Sequence, residues 1–92
     1  VPTRREDGWR LQPEALAAAL TEKTRFVVIG NPTNPTGSGY PAALLRELGE
    51  VMARVAPQCW LLVDDIYRRL VYGGFEHSSA FKVLGGVTDQ IV

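Results

Sequence analysis

The sequence predicts an α/β fold with a mainly parallel sheet. Two short apolar runs, "RFVVIG" (Arg25 to Gly30) and "CWLLVD" (Cys59 to Asp64), have the make-up of strands. Between them lies an amphipathic run long enough for a full helix, "PAALLRELGEVMARVA". Strand, helix, strand is the βαβ unit, which sets its two strands parallel and its crossover right-handed.

Each element has its own local reason. After an irregular, charged opening, "LQPEALAAALTEK" (Leu11 to Lys23) places Leu11, Ala15, Leu16, Ala19 and Leu20 at helical spacing. Pro13 is tolerated in a first turn, and the alanines supply helix propensity. The continuous, β-branched "RFVVIG" predicts a strand buried on both faces. "NPTNPTG" (Asn31 to Gly37) follows, and its prolines fix φ and remove backbone donors, so it reads as a stiff turn. In the central helical run, Leu44, Leu45, Leu48, Val51, Met52 and Val55 share one face. Pro41 sits at its first turn and Pro57 closes it. "CWLLVD" is the second buried-type strand, and "DIYRRLVYGG" turns away from its end, with Gly73 and Gly74 as a stop. "SSAFKVLGG" predicts a short helix stopped by Gly85, and Gln90 to Val92 begins a third strand. No internal repeat is present.

Composition narrows the function. A chain of 92 residues suits one small domain, which at this size buries only about 60–65 % of its unfolded surface. Ten basic residues cancel ten acidic ones, so neither nucleic acid nor an anionic membrane surface is an expected partner. No apolar run approaches the roughly 20 residues of a membrane-spanning helix, and no signal peptide opens the chain. The single cysteine, Cys59, cannot form an internal disulfide and sits in apolar surroundings, which fits a reduced, cytoplasmic setting. The chain opens without methionine and closes on a strand just begun, so we expect a piece of a longer protein.

Parallel strands bring their carboxyl ends to one edge, where open α/β sheets bind ligands. Asn34 lies just past the first strand and Asp64 ends the second. As the end of an apolar strand, Asp64 is expected to be partly buried, needing a cation or several donors to stay ionised. From spacing alone it reads as a cap for "DIYRRL", as a ligand contact or as a metal ligand, although no histidine or carboxylate cluster accompanies it. Asp65 reads as a solvated or structural carboxylate. Tyr67, three residues after Asp64, shares its face if a helical turn starts there; taken alone it is a core tyrosine. Asn34 offers one acceptor and two amide hydrogens, and neither Asn-Pro-Thr triplet can be glycosylated. His77, Arg68 and Arg69 read as surface residues, and Lys82 as a solvated lysine on a helix face.

"NPTNPTG", followed by a helix and then by "LLVDDIYRRLVY", closely resembles the fold-type I pyridoxal-phosphate (PLP) enzymes, the class I/II aminotransferases. Their pattern is Asn-Pro-x-Asn-Pro-Thr-Gly, then a strand ending in Asp-Glu-x-Tyr. The resemblance extends upstream through "LQPEALAAALTEKTRFVVI" and so covers nearly the whole chain; it departs at Asp65, where Glu is commoner. It implies that residues 1–92 are part of the PLP-binding large domain, a three-layer α/β/α fold. It also implies a homodimeric enzyme of amino acid metabolism that moves an amino group between an amino acid and a 2-oxo acid. The tail "IYRRLVYGG" looks most like the aspartate and aromatic aminotransferase-like branch.

By this resemblance Asn34 and Tyr67 would donate hydrogen bonds to the cofactor's 3-oxygen, and Asp64 would pair with its pyridine nitrogen. The Asn34–Pro35 bond would be cis. The family's cofactor-bound lysine falls after a strand that is only beginning at Val92, so no catalytic residue is expected in this chain, and Lys23 and Lys82 are not candidates. The carboxylate-gripping arginine and the segment that binds the cofactor phosphate also fall outside it, so the isolated chain is expected to be inactive. Rival readings are a PLP-dependent C–S lyase or synthase of the same fold, the aminotransferase-like effector domain of a transcription regulator, and a generic α/β binding fragment. Tyr67, where some lyases carry histidine, leans towards transamination.

Overall fold

The computed structural model describes residues 1–84 and 90–92. Its elements in chain order are α1 (Pro13–Ala19), β1 (Phe26–Gly30), α2 (Ala42–Val55), β2 (Trp60–Asp64) and α3 (Ala80–Val83). Pro13 opens α1, where a missing N–H costs nothing because the first-turn donors have no helical partner. The helix stops at Ala19, four residues short of the expected Lys23, because local side chains offer the backbone other partners. The Thr24 hydroxyl accepts the Thr21 N–H at 3.0 Å, and the Thr21 hydroxyl accepts the Lys23 N–H at 3.2 Å. Leu20 therefore turns extended, yet its side chain stays in the core.

Strands β1 and β2 pair in parallel, in register from Phe26 opposite Trp60 to Gly30 opposite Asp64. The third strand begins as expected. Ile91 bridges Leu61 in parallel, and Val92 exchanges 2.9 Å bonds with Leu61 and Val63, which leaves β2 flanked on both sides.

Helix α2 packs against both α1 and α3. Its buried residues, Leu45, Leu48, Gly49, Val51 and Met52, form the expected face. Leu44 only packs against the rim of the core, and Val55 at the helix end is exposed. Pro41 caps the helix from just outside its first turn, and the Ala56 N–H closes it on the Met52 carbonyl. Together with Leu16, Leu20, Ile29, Cys59, Leu61 and Leu84 these side chains make one core between the helices and one face of the sheet. Each fully buried leucine contributes on the order of 2 kcal/mol.

The expectation of strands buried on both faces is corrected. Ile29 and Leu61 are buried and Val27 and Val63 pack beside them, but Phe26, Val28, Trp60 and Leu62 point to the opposite face and are exposed. Period-2 alternation sends them there, and the described helices lie on the other side. Of the three layers expected, the described residues form two. Gly85, the expected stop after α3, lies outside the described residues.

Candidate functional site

The loop after β1 is closed by its own bonds. The Thr33 hydroxyl donates to the Gly30 carbonyl at 2.8 Å, Thr33 N–H to Ser38 carbonyl at 2.8 Å, and Gly37 N–H to Thr33 carbonyl at 2.7 Å. Gly37 takes φ +70°, a left-handed conformation that a side chain would strain. The Asn34–Pro35 bond is cis, as the resemblance implied, and so is Asn31–Pro32. The turn therefore holds Asn34 out at the tip, exposed, at the carboxyl edge of the sheet.

Tyr67 arrives from the other side. After β2 the chain makes a tight turn in which Arg68 N–H bonds the Asp65 carbonyl at 2.9 Å and Leu70 N–H the Tyr67 carbonyl at 2.8 Å. Tyr67 is half-buried there, and the Asn34 side-chain amide donates to its hydroxyl at 3.4 Å. That contact is long, so neither group is committed to the other and both remain free to donate to a third atom. Both line an open cleft of about 730 Å³ whose walls include Trp9, Arg10, Tyr72 and Phe75.

Asp64 is placed differently from the expectation. Its side chain is exposed rather than partly buried, because it alternates onto the same open sheet face as Trp60 and Leu62. Its Oδ1 accepts the Ile66 N–H at 3.2 Å, so it caps the turn after β2; no helix starts there. It does not line the cleft shared by Asn34 and Tyr67. It reaches the same edge through the backbone, where its carbonyl accepts the Asn31 N–H at 2.9 Å.

Two residues matter more than their sequence context indicated. Asn31 is completely buried, its Nδ2 donating to the Ser78 carbonyl at 3.0 Å and its Oδ1 accepting the Tyr40 N–H at 2.9 Å. Tyr40, itself buried, accepts the Leu11 N–H on its hydroxyl at 2.9 Å, so the tie extends to the entrance of α1. The available signal was an asparagine immediately following an apolar strand, where a polar side chain entering the core needs partners. His77 was expected at the surface, but its side chain is only 14 % exposed and its Nε2 lies 3.2 Å from Asp65 Oδ1. It is covered because residues 76–79 fold back over the strand ends, where Asn31 holds Ser78.

The remaining charged candidates stay outside the site. Lys23, Lys82, Arg68 and Arg69 are exposed, and neither lysine lines the cleft. Among the described residues no three His, Cys, Asp or Glu side chains meet as a metal-binding group. No helix there is long and apolar enough to cross a membrane. Cys59 lies in the core, and burial pushes its thiol above the ordinary value of 9.0 against the opposing charge of Arg25 and a backbone bond at Val27.

The family model described as "Aminotransferase class I and II" matches residues 1–92. An aspartate aminotransferase of Rhizobium meliloti is 52 % identical over 83 residues, covering 90 % of this chain and 20 % of that protein. An aspartate/prephenate aminotransferase of Cereibacter sphaeroides is 39 % identical over 85 residues, covering 92 % and 21 %. In three dimensions the chain superposes on the crystal structure of a Rhizobium meliloti aspartate aminotransferase with a TM-score of 0.92 at 40 % identity, covering 99 % of this chain and 22 % of the other. The aspartate aminotransferase of Thermus thermophilus with maleate gives 0.82 at 32 % identity, covering 97 % and 22 %. The chain thus spans about a fifth of the length of the relatives it matches.

Proposed function

The chain belongs to the class I and II aminotransferases, and on that premise we propose that it is part of the cofactor-binding large domain of a PLP-dependent aminotransferase. The whole protein transfers an amino group between an amino acid and a 2-oxo acid, as a cytoplasmic homodimer. Aspartate is the first donor to test, because the relatives at 52 % and 39 % identity carry names that include it.

The observation that carries the reading is the meeting of Asn34 and Tyr67, 3.4 Å apart at the carboxyl edge of a parallel sheet. Two uncommitted donors facing one cleft suit a single anionic oxygen, such as the cofactor's 3-oxygen, and each would strengthen as a bond to a charged acceptor. Asp64, exposed at the same edge and able only to accept when ionised, suits the ring nitrogen, where it would hold a proton. Bound there, the cofactor supplies an electron-poor ring that stabilises negative charge at the substrate's α-carbon. The residues of this chain orient that ring and fix its protonation. The family resemblance implies that the lysine that anchors the cofactor lies beyond Val92, and the exposure of Lys23 and Lys82 away from the cleft is consistent with that.

The test is an assay of the intact protein with PLP, aspartate and 2-oxoglutarate. Amino transfer that drops in Asn34→Ala and Tyr67→Phe supports the assignment, and an intact protein that neither binds PLP nor transfers an amino group refutes it. Residues 1–92 alone, mixed with PLP, should give no stable absorbance band. A stoichiometric band lost on Lys82→Ala would contradict the placement of the lysine.

A further inference from the structure

We propose that the short segment Phe75–Ser78 is the positioning element of this site, a staple that sets the distance between its two halves. The proposal rests on the functional reading above. One half is the loop carrying Asn34, and the other is the end of β2 and its turn, carrying Asp64 and Tyr67. Across the ligand edge the direct side-chain link between them is the long 3.4 Å contact from Asn34 to Tyr67. Each half is closed by its own turn bonds, and the Asn31 N–H to Asp64 carbonyl bond at 2.9 Å joins their backbones. Asn34 and Asp64 are nevertheless both exposed, and no packed side chain surrounds either.

Segment 75–78 touches both halves. The His77 Nε2 lies 3.2 Å from Asp65 Oδ1, on the residue next to Asp64 and two before Tyr67. The adjacent Ser78 carbonyl accepts the Asn31 amide at 3.0 Å, three residues before Asn34. The Phe75 ring sits so close to Gly39, just past the motif loop, that a Cβ there would lie 2.4 Å from it. Asn31 transmits the hold. It is fully buried with its other polar end committed to Tyr40, so its rotamer is fixed and the loop root moves with Ser78. A segment with no helix or strand of its own would ordinarily be solvated. Here His77, Ser78 and Ser79 are half-buried, because they are bonded across the strand ends.

The experiment uses the intact protein and the variants His77→Ala, His77→Gln and, as an exposed control, Glu76→Ala. Without cofactor, hydrogen exchange of residues 31–40 should speed up in His77→Ala, recover in His77→Gln, whose amide can still reach Asp65, and stay unchanged in Glu76→Ala. With PLP bound, kcat should fall by about tenfold or more in His77→Ala at unchanged KM, as expected for displaced reacting groups. The pH midpoint of the cofactor's visible band should also rise, since donors to its charged oxygen move away. Unchanged exchange in His77→Ala overturns the staple. Faster exchange with a wild-type band and wild-type kcat overturns its positioning role. If His77→Ala does not fold, Asp65→Ala breaks the same contact from the other side and carries the same expectations. A wild-type protein without a cofactor band refutes the functional reading alone, and the exchange result still decides the staple.

Discussion

The two Asn-Pro pairs of one seven-residue loop behave as opposites. Asn31 is wholly buried, with both ends of its amide bonded at 3.0 and 2.9 Å. Asn34, three residues on, is exposed and makes a single long contact at 3.4 Å. The same dipeptide therefore does two jobs: the first anchors the loop, and the second is left free to engage something else. A polar group already satisfied by the fold contributes to stability, whereas one held rigidly without a partner is available to a ligand.

That contrast is most easily broken at Asn31. Asn31→Ala strands the Tyr40 N–H in the core and leaves the half-buried Ser78 carbonyl without its partner, and should destabilise the protein by about 2–4 kcal/mol in urea unfolding. Asn34→Ala should change stability by less than about 0.5 kcal/mol. Its effect belongs on turnover, where loss of one donor to a developing charge should lower kcat of the intact enzyme by about tenfold to hundredfold. If Asn34→Ala proves the more destabilising of the two, the division of labour is wrong. Gly39→Ala tests the far end of the loop, since its Cβ would meet the rigid Phe75 ring at 2.4 Å. It should cost about 1–3 kcal/mol, seen as a lower Tm.

The smallest effect concerns a buried group away from the loop. The Cys59 thiol is raised above its ordinary value of 9.0 by burial, so the folded state prefers it protonated. Its stabilising contribution is complete below the unfolded value and is lost as pH rises through the folded one. Unfolding midpoints should therefore drift down above about pH 9, less so in Cys59→Ala, and thiol reagents at neutral pH should react with Cys59 only slowly.

The parts that were legible in the sequence share a cause. The strands, α2 and the parallel pairing are written in local periodicity, and each strand was placed within one residue. The arrival of Asn34 and Asp64 at one edge follows from topology, because parallel strands must end together, whereas the meeting of Asn34 with Tyr67 was implied only by the family resemblance. What escaped depends on partners far along the chain. Asn31 bonds a carbonyl 47 residues away and His77 a carboxylate 12 residues away, and no window of sequence displays such a pairing. Helix α1 was overextended because apolar spacing continued while Thr21 and Thr24 diverted the backbone. The burial of Asp64 was overestimated for a different reason: an apolar strand reads as buried on both sides, but one side of this sheet is bare among the described residues.

That bare side has an optical consequence. Trp60 stands on it, 41 % exposed, while the other tryptophan, Trp9, is 43 % exposed on the wall of the cleft. Trp60 watches that face alone, whereas Trp9 also borders a groove with Phe26 and Val28 of the same face. In Trp9→Phe the Trp60 emission should shift to the blue when anything apolar covers the sheet, and in Trp60→Phe the Trp9 emission should respond both to occupants of the cleft and to a cover over Phe26 and Val28.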